Sequence, residues 1–278
     1  MSALNDRVAL VTGASRGVGK GIAVALGGAG ATVYITGRSY DQAAGPLPGS
    51  LAETAAEIAS RGGHAIPLRC DHSVDADVEA VFERIAADSG GVDILVNNVY
   101  CVPDGPMFDT PFWQQPLSMW DDMHRVGLRS HYVASRLAAP HMVAQKRGLI
   151  AHISSFGGRS YQLNVAYGVG KAAVDRMARD MGHELRDHGV ACVSLWPGIV
   201  RTERILAFAD QLPFDLSNSE SPEFTGRAII ALATDPALMQ RSGRVWIVAE
   251  LAREYQFTDI DGSQPPPLIA SSRAGEER

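Results

Sequence analysis

Short apolar runs alternate with helix-type segments along almost the whole chain, and this alternation restricts what it can fold into more than any other feature. The run Arg7–Thr12 (RVALVT) leads into helical spacing over Gly17–Gly28. Further strands are predicted at Ala31–Thr36, His64–Arg69, Val92–Val96, Leu149–Ser154, Val190–Leu195 and Arg244–Val248. Helices are predicted over Leu51–Ser60, Val74–Ala87, Met119–Gln145, Val165–Asp187 and Ser221–Thr234, the longest of them tolerating Pro140 with a bend. Strands that are apolar at nearly every position are buried on both faces, which requires a parallel sheet between two helix layers. The expected fold class is therefore α/β: a single doubly wound parallel sheet of about seven strands with helices on both faces. Residues 1–258 form this domain, and the proline- and charge-rich stretch Asp259–Arg278 is expected to be a flexible tail. There is no internal repeat or linker.

Composition narrows the function classes. Apolar residues make up 46% of the 278, enough for a full core, and the net charge is -6 without any basic block. Nucleic acid is thus not an expected partner. The three cysteines, Cys70, Cys101 and Cys192, are far apart and form no CxxC pair, which fits free thiols in a reducing compartment. No apolar run approaches bilayer length, and Met1–Arg7 contains no signal-peptide core, so a soluble cytoplasmic protein with no membrane partner is expected.

Three segments bear on chemistry. The first strand runs into Thr12-Gly13-Ala14-Ser15-Arg16-Gly17-Val18-Gly19. Glycines at this place allow a tight turn and a close approach to a pyrophosphate at a helix N-terminus. The same residues spell Gly-x-Ser-x-Gly, the elbow of a serine hydrolase with Ser15 as nucleophile, but that elbow usually follows several earlier strands. After the second strand comes Thr36-Gly37-Arg38-Ser39, with no acid to hold a ribose 2′-hydroxyl. Arg38 with Arg16 suits a 2′-phosphate instead, which favours NADP(H) over NAD(H). Finally, Tyr167 and Lys171 lie one helical turn apart, where a lysine favours the phenolate and makes the tyrosine a usable acid or base. His183-Glu184-Leu185-Arg186-Asp187-His188 looks like a zinc motif, but its histidines are five apart rather than four and diverge around the helix, so no metal is expected.

In order along Arg7–Val248, these segments resemble the short-chain dehydrogenase/reductase superfamily, with its Rossmann-type fold. The likeness rests on TGASRGVG at Thr12–Gly19, Asp71, Asn97-Asn98, Ser154-Ser155, Tyr167-x3-Lys171, and Pro197-Gly198 with Thr202. YITGR, MWDD, VGLR, YGVGKAA and SLWPGIV further resemble the branch called dehydrogenase/reductase member one. The resemblance implies Tyr167 as general acid or base, Lys171 as the residue that lowers its pKa and bonds the nicotinamide ribose, and Ser155 as holder of the substrate oxygen. Ser154 is the alternative, because the family usually shows a spacing of thirteen residues to the tyrosine and Ser155 is twelve away. It also implies cofactor contacts from Gly13, Ser15, Arg16, Gly17, Val18, Gly19, Arg38, Asp71 at the adenine, Asn97 near the adenosine ribose, and Pro197, Gly198, Val200 and Thr202 at the nicotinamide. Two departures stand out. Asn97-Asn98 is followed by Val99-Tyr100 where the family usually has Ala-Gly. Gly127 stands where many members carry an asparagine.

The implied function is NADPH-dependent reduction of a carbonyl, reversible as alcohol oxidation, in a homodimer or homotetramer. The irregular stretches Val102–Leu117 and Leu206–Ser221 would wall the substrate pocket, with Phe108, Phe112, Trp113, Leu206, Phe208 and Phe214 suiting an apolar substrate. A non-catalytic NADP-binding sensor is the alternative.

Overall fold

A computed structural model describes residues 2–43, 46–103, 110–209 and 216–268. Seven strands form one sheet: β1 (Val8–Thr12), β2 (Thr32–Gly37), β3 (His64–Arg69), β4 (Ile94–Asn97), β5 (Gly148–Ile153), β6 (Val190–Trp196) and β7 (Val245–Ile247). Every pairing is parallel and the order is β3-β2-β1-β4-β5-β6-β7. The expected single doubly wound sheet is thus what forms. β1 lies against both β2 and β4, so the direction of winding reverses between β1 and β4, with Ala9 beside Ile94 and Val11 beside Val96. Loops leaving the two strands diverge there and open a crevice.

Alternate strand residues feed two cores. Ala9, Val11, Val33 and Ile35 point to one side, where they meet α1 (Gly17–Gly28), α2 (Leu51–Ser60), α8 (Pro222–Thr234) and α9 (Val248–Tyr255). Leu10 and Tyr34 point to the other, toward α3 (Asp75–Ser89), α5 (Ser130–Gln145) and α6 (Val165–Glu184). Helix starts follow local chemistry: the Ser50 hydroxyl accepts the Glu53 N–H at the head of α2, and the Asn164 amide oxygen accepts the Tyr167 N–H at the head of α6. α8 begins with Pro222, whose missing N–H costs nothing in the first turn.

The long helix expected over Met119–Gln145 is interrupted, though not at Pro140, which lies inside α5. α4 (Leu117–His124) passes through a π turn at Arg125–Arg129 before α5 begins. The Ser130 hydroxyl donates to the Val126 carbonyl there, competing with the regular ladder. Two helices lie where none was expected: α7 (Glu203–Ala207), partly inside the Leu206–Ser221 stretch, and α9, which begins at Val248 where the last strand was expected to end. Asp259, the first residue of the expected tail, is 1% exposed and its carboxylate accepts the Ser221 N–H at 2.7 Å, so it packs with the domain. Residues 269–278 lie outside the described residues.

Phe224 of α8 is fully buried and meets the Phe257 ring at 5.3 Å, tying the C-terminal segment to the core. Phe224→Ala should lower the unfolding free energy by about 3–5 kcal/mol in urea titration, and a loss below about 1 kcal/mol would contradict this packing.

Candidate active site

At the crevice, the C-terminal ends of β1 and β4 are tied together by one threonine. The Thr12 hydroxyl donates to the Val96 carbonyl and accepts the N–H groups of Asn98 and Val99 at 3.0 and 3.1 Å. Asn98 closes the arrangement by donating its amide to the Thr12 and Gly13 carbonyls. The groove is about 540 Å³ and is lined by Gly13, Ser15, Arg16, Gly17, Val18, Gly19, Arg38, Asp71 and Thr202 among the residues expected there. Gly13 has φ +69°, and a Cβ on it would stand 2.8 Å from the Val99 Cα, so a side chain would both strain the turn and fill the cradle.

Asn97 is placed differently from expectation. It is fully buried at the end of β4 and its amide donates to the Ser135 hydroxyl on α5, below the groove. Its neighbour Asn98 faces the groove. Alternation along a strand explains the exchange, since adjacent residues point to opposite faces. Asp71 stands at the far wall, where burial pushes its carboxyl up but two hydrogen bonds from Ser73 and the nearby Arg38 outweigh that and hold it below the usual range. Arg16 donates to the Ser39 hydroxyl and the Gly49 carbonyl, while its Nε is buried without a hydrogen-bond partner. Pro197, Gly198 and Val200 lie between β6 and Thr202, and Val200 bridges to Glu220.

Beyond β5 the expected trio comes together. The Ser155 and Tyr167 hydroxyls are 2.7 Å apart. Ser154 instead donates to the Lys171 carbonyl, so it is Ser155 that meets the phenol despite the twelve-residue spacing. Lys171 is 8% exposed, donates to the Ile153 carbonyl at 3.1 Å and lies 5.8 Å from the Tyr167 ring centre. Burial pushes its ammonium down to about 8, with Asp175 opposing. The expected effect of Lys171 on the phenol is not among the causes that shift Tyr167 in the protein alone. Burial raises the Tyr167 phenol, the Ser155 hydrogen bond only partly offsets it, and the ammonium is bonded elsewhere. Among the described residues no histidine is bonded to Ser15, and His72 is tied to Thr36, so the hydrolase arrangement does not form.

A family model described as short chain dehydrogenase matches residues 7–211. The chain belongs to the short-chain dehydrogenase/reductase family. It is 45% identical to dehydrogenase/reductase SDR family member 1 of Mus musculus over 93% of this chain and 85% of that protein, and equally to the Homo sapiens protein over the same shares. A metagenomic short-chain oxidoreductase in complex with NADP is 30% identical, with a TM-score of 0.70 over 88% of this chain and 97% of that one. A short-chain dehydrogenase/reductase of Mycobacterium marinum gives 0.75 at 29% identity, over 88% and 94%. The family comprises oxidoreductases that use NAD(H) or NADP(H) on CH–OH or C=O groups of small molecules. No helix among the described residues is long and apolar enough to cross a membrane, and no group of three or more His, Cys, Asp or Glu among them could hold a metal.

Several features of this dehydrogenase/reductase were not foreseen. The Gly17 N–H donates to the Glu203 carboxylate at 2.8 Å, so an acid from α7 sits at the N-terminus of α1, where the helix dipole favours negative charge. No motif marks Glu203; only the return of the chain after β6 brings it there. Of the apolar residues expected to wall a pocket, Phe112 and Trp113 are 63% and 71% exposed, and Leu206 and Phe208 are also exposed rather than folded into the core. Phe108 and Phe214 lie outside the described residues.

Beneath the site sit three buried histidines. Burial pushes His72 down to about 4, His152 to about 3 and His131 well below its ordinary value. Unfolded histidines take up a proton near pH ~6.5 while these stay neutral, so their contribution to stability is complete above that pH and is lost as pH falls toward 4. Buried Glu220, pushed up to about 7, works the other way and offsets about one proton. Stability should therefore drop by about 2–3 kcal/mol per pH unit near pH ~5. Urea unfolding at a series of pH values reads this directly, and a flat profile would contradict the neutral histidines.

Proposed function

We propose that this protein is an NADP(H)-dependent carbonyl reductase, reversible as an alcohol dehydrogenase, acting on a small apolar substrate. The observation that carries the reading is the 2.7 Å contact between Ser155 and Tyr167 with buried Lys171 beside it, next to Tyr100, which lines the glycine-rich groove and meets the Tyr167 ring at 5.9 Å. Burial keeps the phenol protonated, which suits a group that must give a proton to a carbonyl oxygen as it becomes an alkoxide. Ser155 would hold that oxygen by hydrogen bond, and Lys171 would supply positive charge that stabilises Tyr167 once it has given up its proton. In oxidation the same groups act in reverse.

The groove suits a dinucleotide on its own chemistry. The N-terminus of α1 already engages an anionic oxygen, and Gly13, Ser15, Gly17, Val18 and Gly19 leave room for a pyrophosphate. Asp71 would take the adenine edge, and Pro197, Gly198, Val200 and Thr202 the nicotinamide end. Bound there, the cofactor would supply the hydride. Preference for NADP(H) is supported by Arg38 and Arg16, two cations on one groove wall with no acid after β2. The exposed Phe112, Trp113, Leu206 and Phe208 support an apolar substrate. Exposed Trp120, Tyr132 and Val169, one on each of α4, α5 and α6, support a homodimer or homotetramer, which sedimentation would reveal.

Side-by-side titration should show NADPH binding more tightly than NADH. Arg38→Ala should weaken NADPH by about 10- to 100-fold while leaving NADH nearly unchanged. Tyr167→Phe should keep NADPH affinity but cut turnover on a panel of apolar ketones by at least about 100-fold. Binding of neither nucleotide, or full turnover in the Phe variant, would sink the reading.

A further inference from the structure

Two oddities of the sequence, Tyr100 after Asn97-Asn98-Val99 and Gly127 in the long helix, meet in one place. Tyr100 leaves the end of β4 and lays its ring against Gly127, in the π turn between α4 and α5. A Cβ on Gly127 would stand 2.5 Å from Tyr100 Cδ2 and 2.7 Å from Cε2, so the ring fills the space that any side chain at 127 would need. Buried Met119, Met123 and Ala166 complete a small apolar cluster around it. The face of the ring looks at Lys171, whose Nζ is 4.8 Å from its centre, and it meets the Tyr167 ring at 5.9 Å with the planes at 89°. The Tyr100 hydroxyl is buried without a hydrogen-bond partner. What this residue offers the site is therefore its ring rather than its oxygen.

We propose that Tyr100 is the positioning residue for Lys171, holding the ammonium beside Tyr167 through the face of its ring, and that Gly127 is the partner that admits the ring. This rests on the reading of Ser155, Tyr167 and Lys171 as the reactive group. A cation is attracted to an aromatic face within about 6 Å, and the attraction grows when water is excluded. Lys171 has few other anchors: one hydrogen bond to the Ile153 carbonyl of β5. The titratable groups facing it are Tyr167 and Asp175 of its own helix α6, His131 of α5 and Tyr100 itself. Of these, Asp175 is partly committed to the Ser194 hydroxyl and the Trp196 ring N–H. The aromatic face attracts the ammonium without adding a charge that would repel the tyrosinate.

The test uses the two substitutions that separate ring from hydroxyl. The chain has only three lysines, Lys20, Lys146 and Lys171, so the Cε resonance of Lys171 in carbon-13-labelled protein can be assigned with Lys171→Met and followed against pH. Tyr100→Phe should leave the Lys171 titration and the alkaline limb of the turnover profile where they are. Tyr100→Leu should move both downward by about one pH unit. Tyr100→Met serves the same purpose if the Leu variant does not fold. Gly127→Ala should reproduce the shift when Tyr100 is present and add little to it in the Tyr100→Leu background. A Lys171 titration that Tyr100→Leu and Tyr100→Met leave in place overturns the proposal, as does Tyr100→Phe shifting it equally, or strictly additive effects of the Gly127 and Tyr100 changes. Absence of turnover in the unaltered protein would instead refute the reductase reading, because the resonance reports the lysine whether or not a carbonyl is reduced.

Discussion

The parallel pairing of β1 with β4 is the contact on which the rest of the structure depends. It places the end of the first strand beside the end of the fourth, with Val11 next to Val96 although 85 residues separate them in the sequence. Because β1 pairs with β2 on its other edge, the two halves of the sheet wind away from this seam and leave a crevice between their loops. Backbone groups at the seam cannot be left unpaired in a buried position. Thr12 and Asn98 satisfy them with side-chain hydrogen bonds, and so set the start of the loop that leads to Gly17 at the head of α1. β5 extends the same edge, with Ser155 just past its end and Tyr167 and Lys171 beside it on α6.

Burial, more than charge pairing, sets the chemistry around these three residues. Lys171 and Tyr167 are both taken largely out of water, and each is pushed toward its neutral form, the lysine downward and the phenol upward. What offsets this is local and directional: a carbonyl for the ammonium, a serine hydroxyl for the phenol, an aromatic face across from both. Beneath them His131 and His152 stack at 5.8 Å, kept neutral by the same exclusion of water. The site is poised by what surrounds it rather than by a nearby ion pair, and its protonation states depend on tight closure of the packing around them.

Much of the scaffold was legible because its signals are local. Apolar runs separated by helical spacing set every strand from β1 to β6 to within two residues, and continuous apolarity forced a parallel sheet. Tyr167 and Lys171 were legible for the same reason, since four residues on a helix lie on one face. The helix interruption at Arg125–Arg129 was not, because a proline in sequence is conspicuous whereas a π turn depends on how Ser130 bonds and what packs on Gly127. α9 was missed because three residues of strand pass directly into an amphipathic helix with no breaker between them.

The sequence by itself determined the layer architecture, the family and the residues that gather around the tyrosine, because each depends on spacing along the chain. Only the tertiary structure decided which of each adjacent pair serves the site. Ser155 rather than Ser154 meets the phenol, and Asn98 rather than Asn97 faces the groove, because a strand end presents its neighbours to opposite faces. It alone brought Glu203 to Gly17, and Tyr100 to Gly127 and Lys171. Contacts between residues far apart in sequence are set by the shape of the closed fold, and no local pattern along the chain encodes them.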